Sequence, residues 1–215
     1  MSYIGADDLR RDNLGALLKK KEIQVKADES SFTDESWDIL AKVIGTTTSL
    51  EKLAFSGDNA VAALQNDKVV DALAKNRTIK TLDLWHAYGG DEGAKAVSAI
   101  LKKNSTIEAV DLGHNDIGVE GAKAIADTLK YNKELRFIDF DNNHIGDEGV
   151  KAIADALKVN PFLQELGILS NNIGERGGGQ SEVGCRLRLP LPARSGKLVV
   201  TDIERLLGDT VVANL

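Results

Sequence analysis

Three consecutive segments align without a gap: RTIKTLDLWHAYGGDEGAKAVSAILKKN from Arg77, STIEAVDLGHNDIGVEGAKAIADTLKYN from Ser105 and KELRFIDFDNNHIGDEGVKAIADALKVN from Lys133. Their starts lie 28 residues apart, and a period in that range marks a supersecondary unit too small to bury its own apolar face. A fourth copy opens at Pro161 as PFLQELGILSNNIGERGG and then loses the pattern. Upstream, SLEKLAFSG followed by VVDALAKN is a degenerate copy in which Leu53 and Phe55 stand where Leu82 and Leu84 do. EIQVKA with WDILAKVIG is a fainter one still.

Spacing within a copy assigns its parts. Leu82/Leu84, Val110/Leu112 and Ile138/Phe140 alternate with polar residues at period 2, as a half-buried strand does. Ala94/Val97/Leu101, Ala122/Ile125/Leu129 and Val150/Ile153/Leu157 recur at helical spacing. Asp91-Glu92 and Asp147-Glu148 suit the positive end of a helix, and Lys102, Lys130 and Lys158 the negative end. Asn104, Asn132 and Asn160 close each helix, where a left-handed residue is expected. Each unit is therefore strand, loop, helix. Stacked units form an α/β solenoid, an arc with parallel strands on the concave face and helices on the convex face. Small residues such as Gly93, Gly121 and Gly149 let the elements approach closely. Such a stack has no central core for rings to fill, which accounts for an aromatic content of only 5%.

The pattern L-x-x-L-x-L-x-x-N-x-I-G-x-E-G, here IEAVDLGHNDIGVEG and LRFIDFDNNHIGDEG, resembles the leucine-rich repeat of the ribonuclease-inhibitor type. The likeness is specific over Thr78–Gly177, degenerate over residues 22–76 and absent after Gly178. It implies that Asn115, Asn143 and Asn171 form a structural ladder, each amide bonding to the backbone of the neighbouring loop. The repeat from Arg77 departs from the pattern, with Ala87 in the Asn slot and Gly89 in the Ile slot, so WHAYGGDEG is expected to be irregular. Proteins with this repeat include ribonuclease inhibitor, NOD-like receptors, tropomodulin and the Ran GTPase-activating protein. The resemblance therefore implies protein binding, and it admits regulation of a small GTPase or a filament-capping assembly role as alternatives.

Strand positions between the core residues point outward. The middle position runs Gln24, Ala54, Asp83, Asp111, Asp139 and Gly167, an acidic stripe with Asp141 beside it. Trp85 and Phe137 flank it from other outward positions. Together Asp83, Trp85, Asp111, Phe137, Asp139 and Asp141 are the candidate contacts for a protein partner with a basic surface, since aromatics dominate interface energetics. An acid in this place could instead be a water-facing habit of the repeat; Trp85 has no core reason to be there.

Other chemistries find no support. His86 and His114 occupy equivalent positions near aspartates, yet paired imidazoles of this kind are more often solvated loop residues than metal ligands. There is no G-x-S-x-G or H-E-x-x-H motif. The glycine clusters lack the Lys-Ser/Thr of a phosphate loop, and Lys19–Lys21 reads as a solvated helix end. No catalytic residue, cofactor or metal is assigned. A net charge of −6 argues against nucleic acid. One cysteine leaves no disulfide framework, and no apolar run suits a signal or a membrane span, so a cytoplasmic protein is expected.

Three regions follow. An amphipathic run with Leu9, Leu14, Leu17 and Leu18 makes a capping helix within residues 1–21. The solenoid covers residues 22–177, degenerate over 22–76 and regular over 77–177. Residues 178–215 diverge, and the 28-residue frame would place Arg194 and Gly196 at core positions. LVV and TDIERLLG, with Thr201 and Glu204 spaced as a capping box, make this segment either an irregular cap or an unrelated tail. The second case leaves an uncovered end through which the chain could oligomerise.

Overall fold

The computed structural model describes residues 2–26, 32–173 and 186–188. The chain alternates strand and helix: β1 (Ser2–Ile4), a 3-10 turn (Ala6–Asp8), α1 (Leu14–Leu17), β2 (Glu22–Val25), α2 (Asp34–Thr46), β3 (Lys52–Phe55), α3 (Asp58–Gln65) and α4 (Asp67–Lys75). It continues with β4 (Thr81–Asp83), α5 (Gly90–Leu101), β5 (Ala109–Asp111), α6 (Val119–Leu129), β6 (Phe137–Asp139), α7 (Gly146–Leu157), β7 (Glu165–Gly167) and β8 (Arg186–Arg188). Strands β1 to β7 are parallel and paired in chain order. This is a leucine-rich-repeat solenoid, with a row of strands on one face and helices on the other.

The register follows the repeat. Leu82, Val110, Ile138 and Leu166 pair in a row and are fully buried. The helices present Val97, Leu101, Ile125, Leu129, Ile153 and Leu157 to the same core. Because the strands are parallel, every strand exit lies at one edge of the sheet and every strand entry at the other.

Two rows of asparagine amides tie the units together, one at each edge. At the exits, Asn143 donates to the carbonyls of Leu112 (2.9 Å) and Phe140 (2.8 Å) and accepts from the N–H groups of Asn115 (3.0 Å) and Ile117 (2.9 Å). Asn115 donates to Leu84 and Gly113, and Asn171 donates to Phe140 and Leu169. At the entries, Asn104 donates to the carbonyls of Leu73 (2.8 Å) and Asn76 (3.0 Å) and accepts from Thr106 and Ile107. Asn76, Asn132 and Asn160 repeat the arrangement. These entry asparagines are not the left-handed caps expected of them, for none has a positive φ. The backbone at Asn76 is extended, which lets the amide fold forward onto the N–H groups two and three residues on and sideways onto the preceding unit, satisfying more buried groups than a left-handed cap does.

One acidic helix start also acts across units. Asp91 accepts from the N–H groups of Gly118 (2.7 Å) and Gly121 (2.9 Å), so it caps α6 rather than its own helix. Gly118, at the N-cap, has no side chain to do this itself. Gly121 is needed for the approach, since a Cβ there would lie 2.7 Å from Asp91 Oδ1, 2.8 Å from Ile117 Cγ2 and 2.9 Å from Ala94 Cβ.

The ends differ from expectation. No capping helix spans 7–21; β1 adds a strand to the sheet, and the apolar residues are carried by a 3-10 turn and one turn of α1. Asp8 accepts from the Gly5 N–H (2.9 Å) and Asn13 donates to the Asp8 carbonyl (2.9 Å), so both side chains hold a turn where a helix would need its own backbone bonds. At the other end, β8 lies antiparallel on β7. Over Glu165–Gly167 the edge of β7 is thus paired by the chain itself. Apart from Arg186–Arg188, the 178–215 segment, with Thr201 and Glu204, lies outside the described residues.

Two stability measurements test this reading. Asn143→Ala strands several buried backbone groups, each of which costs about 1–3 kcal/mol, so urea unfolding should show a loss of about 3 kcal/mol or more. Lys133→Ala, on the surface, should stay within about 0.5 kcal/mol of wild type; equal effects would refute the ladder's role. Gly121→Ala should destabilise the chain although alanine is the better helix former by about 1 kcal/mol. A gain in melting temperature would show that the close approach of α5 and α6 is not needed.

Candidate protein-binding surface

At the exit of β4, Leu84 N–H bonds to the Asp111 carbonyl (3.0 Å) and His86 N–H to the Gly113 carbonyl (2.9 Å). The intervening Trp85 side chain therefore turns away from the core and is 51% exposed. It lies against the next unit at Gly113, where a Cβ would come within 3.1 Å of Trp85 Cδ1. His86 stacks on the indole with ring centroids 5.1 Å apart, and His114 meets it edge-on at 5.4 Å. Tyr88, 49% exposed, closes the group, its hydroxyl 2.8 Å from His86 Nε2. Four rings thus form one cluster at the strand-exit edge, with Trp85 and Tyr88 exposed and the two imidazoles half-buried.

The backbone beneath is the repeat's own: His86 (φ 57°) and His114 (φ 56°) share a left-handed conformation with Asn142 and Ser170, and Tyr88 (φ 50°) shares one with Asp116 and Asn172. Asparagine, aspartate and histidine tolerate this region; a tyrosine there is uncommon. Ala87 fills the asparagine slot, is fully buried and donates its N–H to Asn115 Oδ1 (3.2 Å). The exit ladder therefore receives this loop from the following unit, and Ala87 has no amide to pass the bond back.

The aspartates do stack, with Asp83 beside Asp111 and Asp111 beside Asp139. Their carboxylates have local work. Asp83 accepts from the Trp85 N–H (3.3 Å), Asp111 from Gly113 (2.9 Å) and Asp139 from Asp141 (2.8 Å), each holding the turn at its own strand end. Asp141 accepts from the Leu169 N–H of the next unit (2.8 Å). Lys52 also pairs with Asp83 at 2.9 Å. Asp139, expected among the contacts, is only 4% exposed and supports the loop. A side chain at Gly167 would lie 2.4 Å from its Oδ1, which explains the glycine that ends the acidic row. Phe137 is half-buried at the start of β6, away from the exit edge.

Sequence reasoning reached Trp85 and missed its partners. In sequence His86 and His114 read as solvated loop residues rather than metal ligands, and Tyr88 carries no signal of its own. The signal was present in WHAY, where Trp85, Ala87 and Tyr88 depart from the repeat's own pattern and His86 repeats as His114. Among the described residues, no three His, Cys, Asp or Glu side chains gather so as to hold a metal ion. No helix among them is long and apolar enough to cross a membrane.

The comparisons agree with the fold. A Leucine Rich repeat model matches residues 103–126 and again 131–154. No curated protein matches the chain in sequence. Among solved structures, leiomodin-1 actin-binding site 2 is similar with a TM-score of 0.54 at 22% identity, over 84% of this chain and 92% of that one. The tropomodulin C-terminal domain of Caenorhabditis elegans is similar with a TM-score of 0.56 at 11% identity, over 85% of this chain and 98% of that one. At such identities the likeness is one of fold, a leucine-rich-repeat solenoid.

Proposed function

We propose that this chain is a non-catalytic protein-binding module whose partner docks on the strand face at its exit edge, centred on Trp85. The observation that carries the reading is the ring cluster of Trp85, His86, Tyr88 and His114, with Trp85 and Tyr88 exposed. In a chain with so few aromatics, such a group at a surface position is poorly explained by packing. Large rings contribute contact area at low entropy cost and dominate interface energetics. Asp111 and Asp141, half-buried at the rim, suit basic groups on the partner. Asp83 is already joined to Lys52, and Phe137 lies at the far end of its strand, so both are peripheral contacts. The regular spacing of the strands and the full helix in each unit favour the ribonuclease-inhibitor type of repeat.

Leiomodin-1's matched segment is named an actin-binding site, which makes actin the first partner to test and the cytoplasm the place to expect it. Cosedimentation with filamentous actin, and affinity capture from a cytosolic extract, should both retain the wild-type chain with its partner. Trp85→Ala should weaken binding about 30-fold, the size of a hot-spot loss. Tyr88→Gly should also weaken it while leaving the melting temperature equal or higher, because glycine relieves the left-handed backbone. That second variant separates lost contact from lost folding. Partners recovered undiminished by Trp85→Ala with Asp111→Lys would overturn the proposal. Stimulated GTP hydrolysis by a small GTPase, without actin binding, would favour the GTPase-regulating alternative.

A further inference from the structure

The strand-entry edge, opposite the ring cluster, carries a second feature. Between the C-terminal ends of α5 and α6 and the loops that follow lies a groove of about 270 Å³. Lys102, Lys103, Ser105, Tyr131 and Lys133 line it, with Glu134 the one acidic residue on its wall. All three lysines and Ser105 are exposed, and Tyr131 is 82% exposed.

The lysines elsewhere on these helices are neutralised. Lys95 pairs with Glu92 (2.6 Å), Lys123 with Glu120 (3.0 Å), Lys130 with Asp127 (2.8 Å) and Lys158 with Asp155 (2.7 Å). Lys102 occupies the place in α5 that Lys130 and Lys158 hold in α6 and α7, but three residues before it stands Ala99 rather than an aspartate. Among the described residues, Lys102, Lys103 and Lys133 make no ion pair, and none reaches Glu134. A helix-end dipole explains a lysine in the last turn; it asks nothing of Lys103 or of Lys133 in the following loop. Three unpaired cations around one groove, on a chain of net charge −6, form a local positive site, with the Arg136 guanidinium near it bonded to the Lys133 and Leu135 carbonyls.

We propose that this groove is a docking site for an acidic segment of a protein partner, with carboxylates between the three lysines and the Tyr131 ring against the segment's aliphatic stems. Charge complementarity selects the occupant. The neutralised lysines on either side confine the positive field to a few residues. A nucleic acid backbone, which needs a track of cations matched to its phosphates, does not fit that extent. The site shares no residue with the ring cluster, so the two proposals fail separately.

Fluorescence anisotropy of a fluorescein-labelled hexaglutamate peptide with the full chain at about 50 mM salt tests this, a salt level at which surface charge is weakly screened. Saturable binding is expected that weakens with added salt. Lys103→Glu with Lys133→Glu should lower affinity at least tenfold without changing the thermal melt, and Glu134→Gln should raise it about twofold. Trp85→Ala should leave the peptide affinity unchanged. Absence of saturable binding to the wild type would overturn the assignment. So would equal binding of hexaglutamine, equal affinity in the charge-reversed variant, or tighter binding of a six-nucleotide single strand.

Discussion

The buried asparagine amide is the interaction on which this solenoid depends. Each strand of three residues is too short to satisfy its own exits, and the chain must turn sharply inside a packed stack. There the backbone groups cannot reach water, and each one left bare is costly. Asn143 resolves this for two units at once, giving two protons to carbonyls on either side and accepting two N–H groups with one oxygen. Asn104 and its equivalents do the same work at the opposite edge. Apolar packing would hold the units together without such a row, but it would not fix their register.

What could be read from the chain alone follows from this division. Period, strand and helix positions and the core-facing residues are properties of one unit, repeated, and a residue pattern displays them directly. Leu82, Val110 and Ile138 form a buried row because the alternation that marks them in sequence is the alternation of a pleated strand. Roles that join one unit to the next are hidden, since the partner is 26 to 31 residues away. Asp91 reads as a favourable charge at its own helix and is the cap of the following one. Asn104 reads as a helix terminator and is a bridge to the preceding unit. Asp139 is hidden for another reason: it reads as an exposed acid and is a buried strap on its own loop, bonded two residues on. The N-terminal run misleads for a different reason: Asp8 and Asn13 compete for the local backbone, and apolar spacing carries no record of that competition.

The candidate surface at the exit edge lies where the asparagine row is interrupted. With Ala87 in the slot, the loop after β4 is held by Asn115 from one side only. Two left-handed residues, His86 and Tyr88, bracket that alanine, and their rings project outward with Trp85. A left-handed tyrosine costs free energy that a glycine would not. Its retention is better explained by what the ring does at the surface than by what the backbone needs. Local rules are broken most often where function requires it.

The entry edge has the same logic. Replacement of an aspartate by Ala99 removes an ion pair and leaves Lys102 unpaired beside Lys103 and Lys133. Neither Ala87 nor Ala99 disturbs the core, because the bonds that fix the stack come from residues of the neighbouring units. The solenoid thereby separates its two tasks. Buried amides and aliphatic rows are constrained by every adjacent repeat, while exposed loop positions are constrained by none. A chain that shares its fold with leiomodin-1 and tropomodulin structures at 22% and 11% identity can keep the first set and still present surfaces of its own. The places to look for its partners are then the points at which the repeat departs from itself.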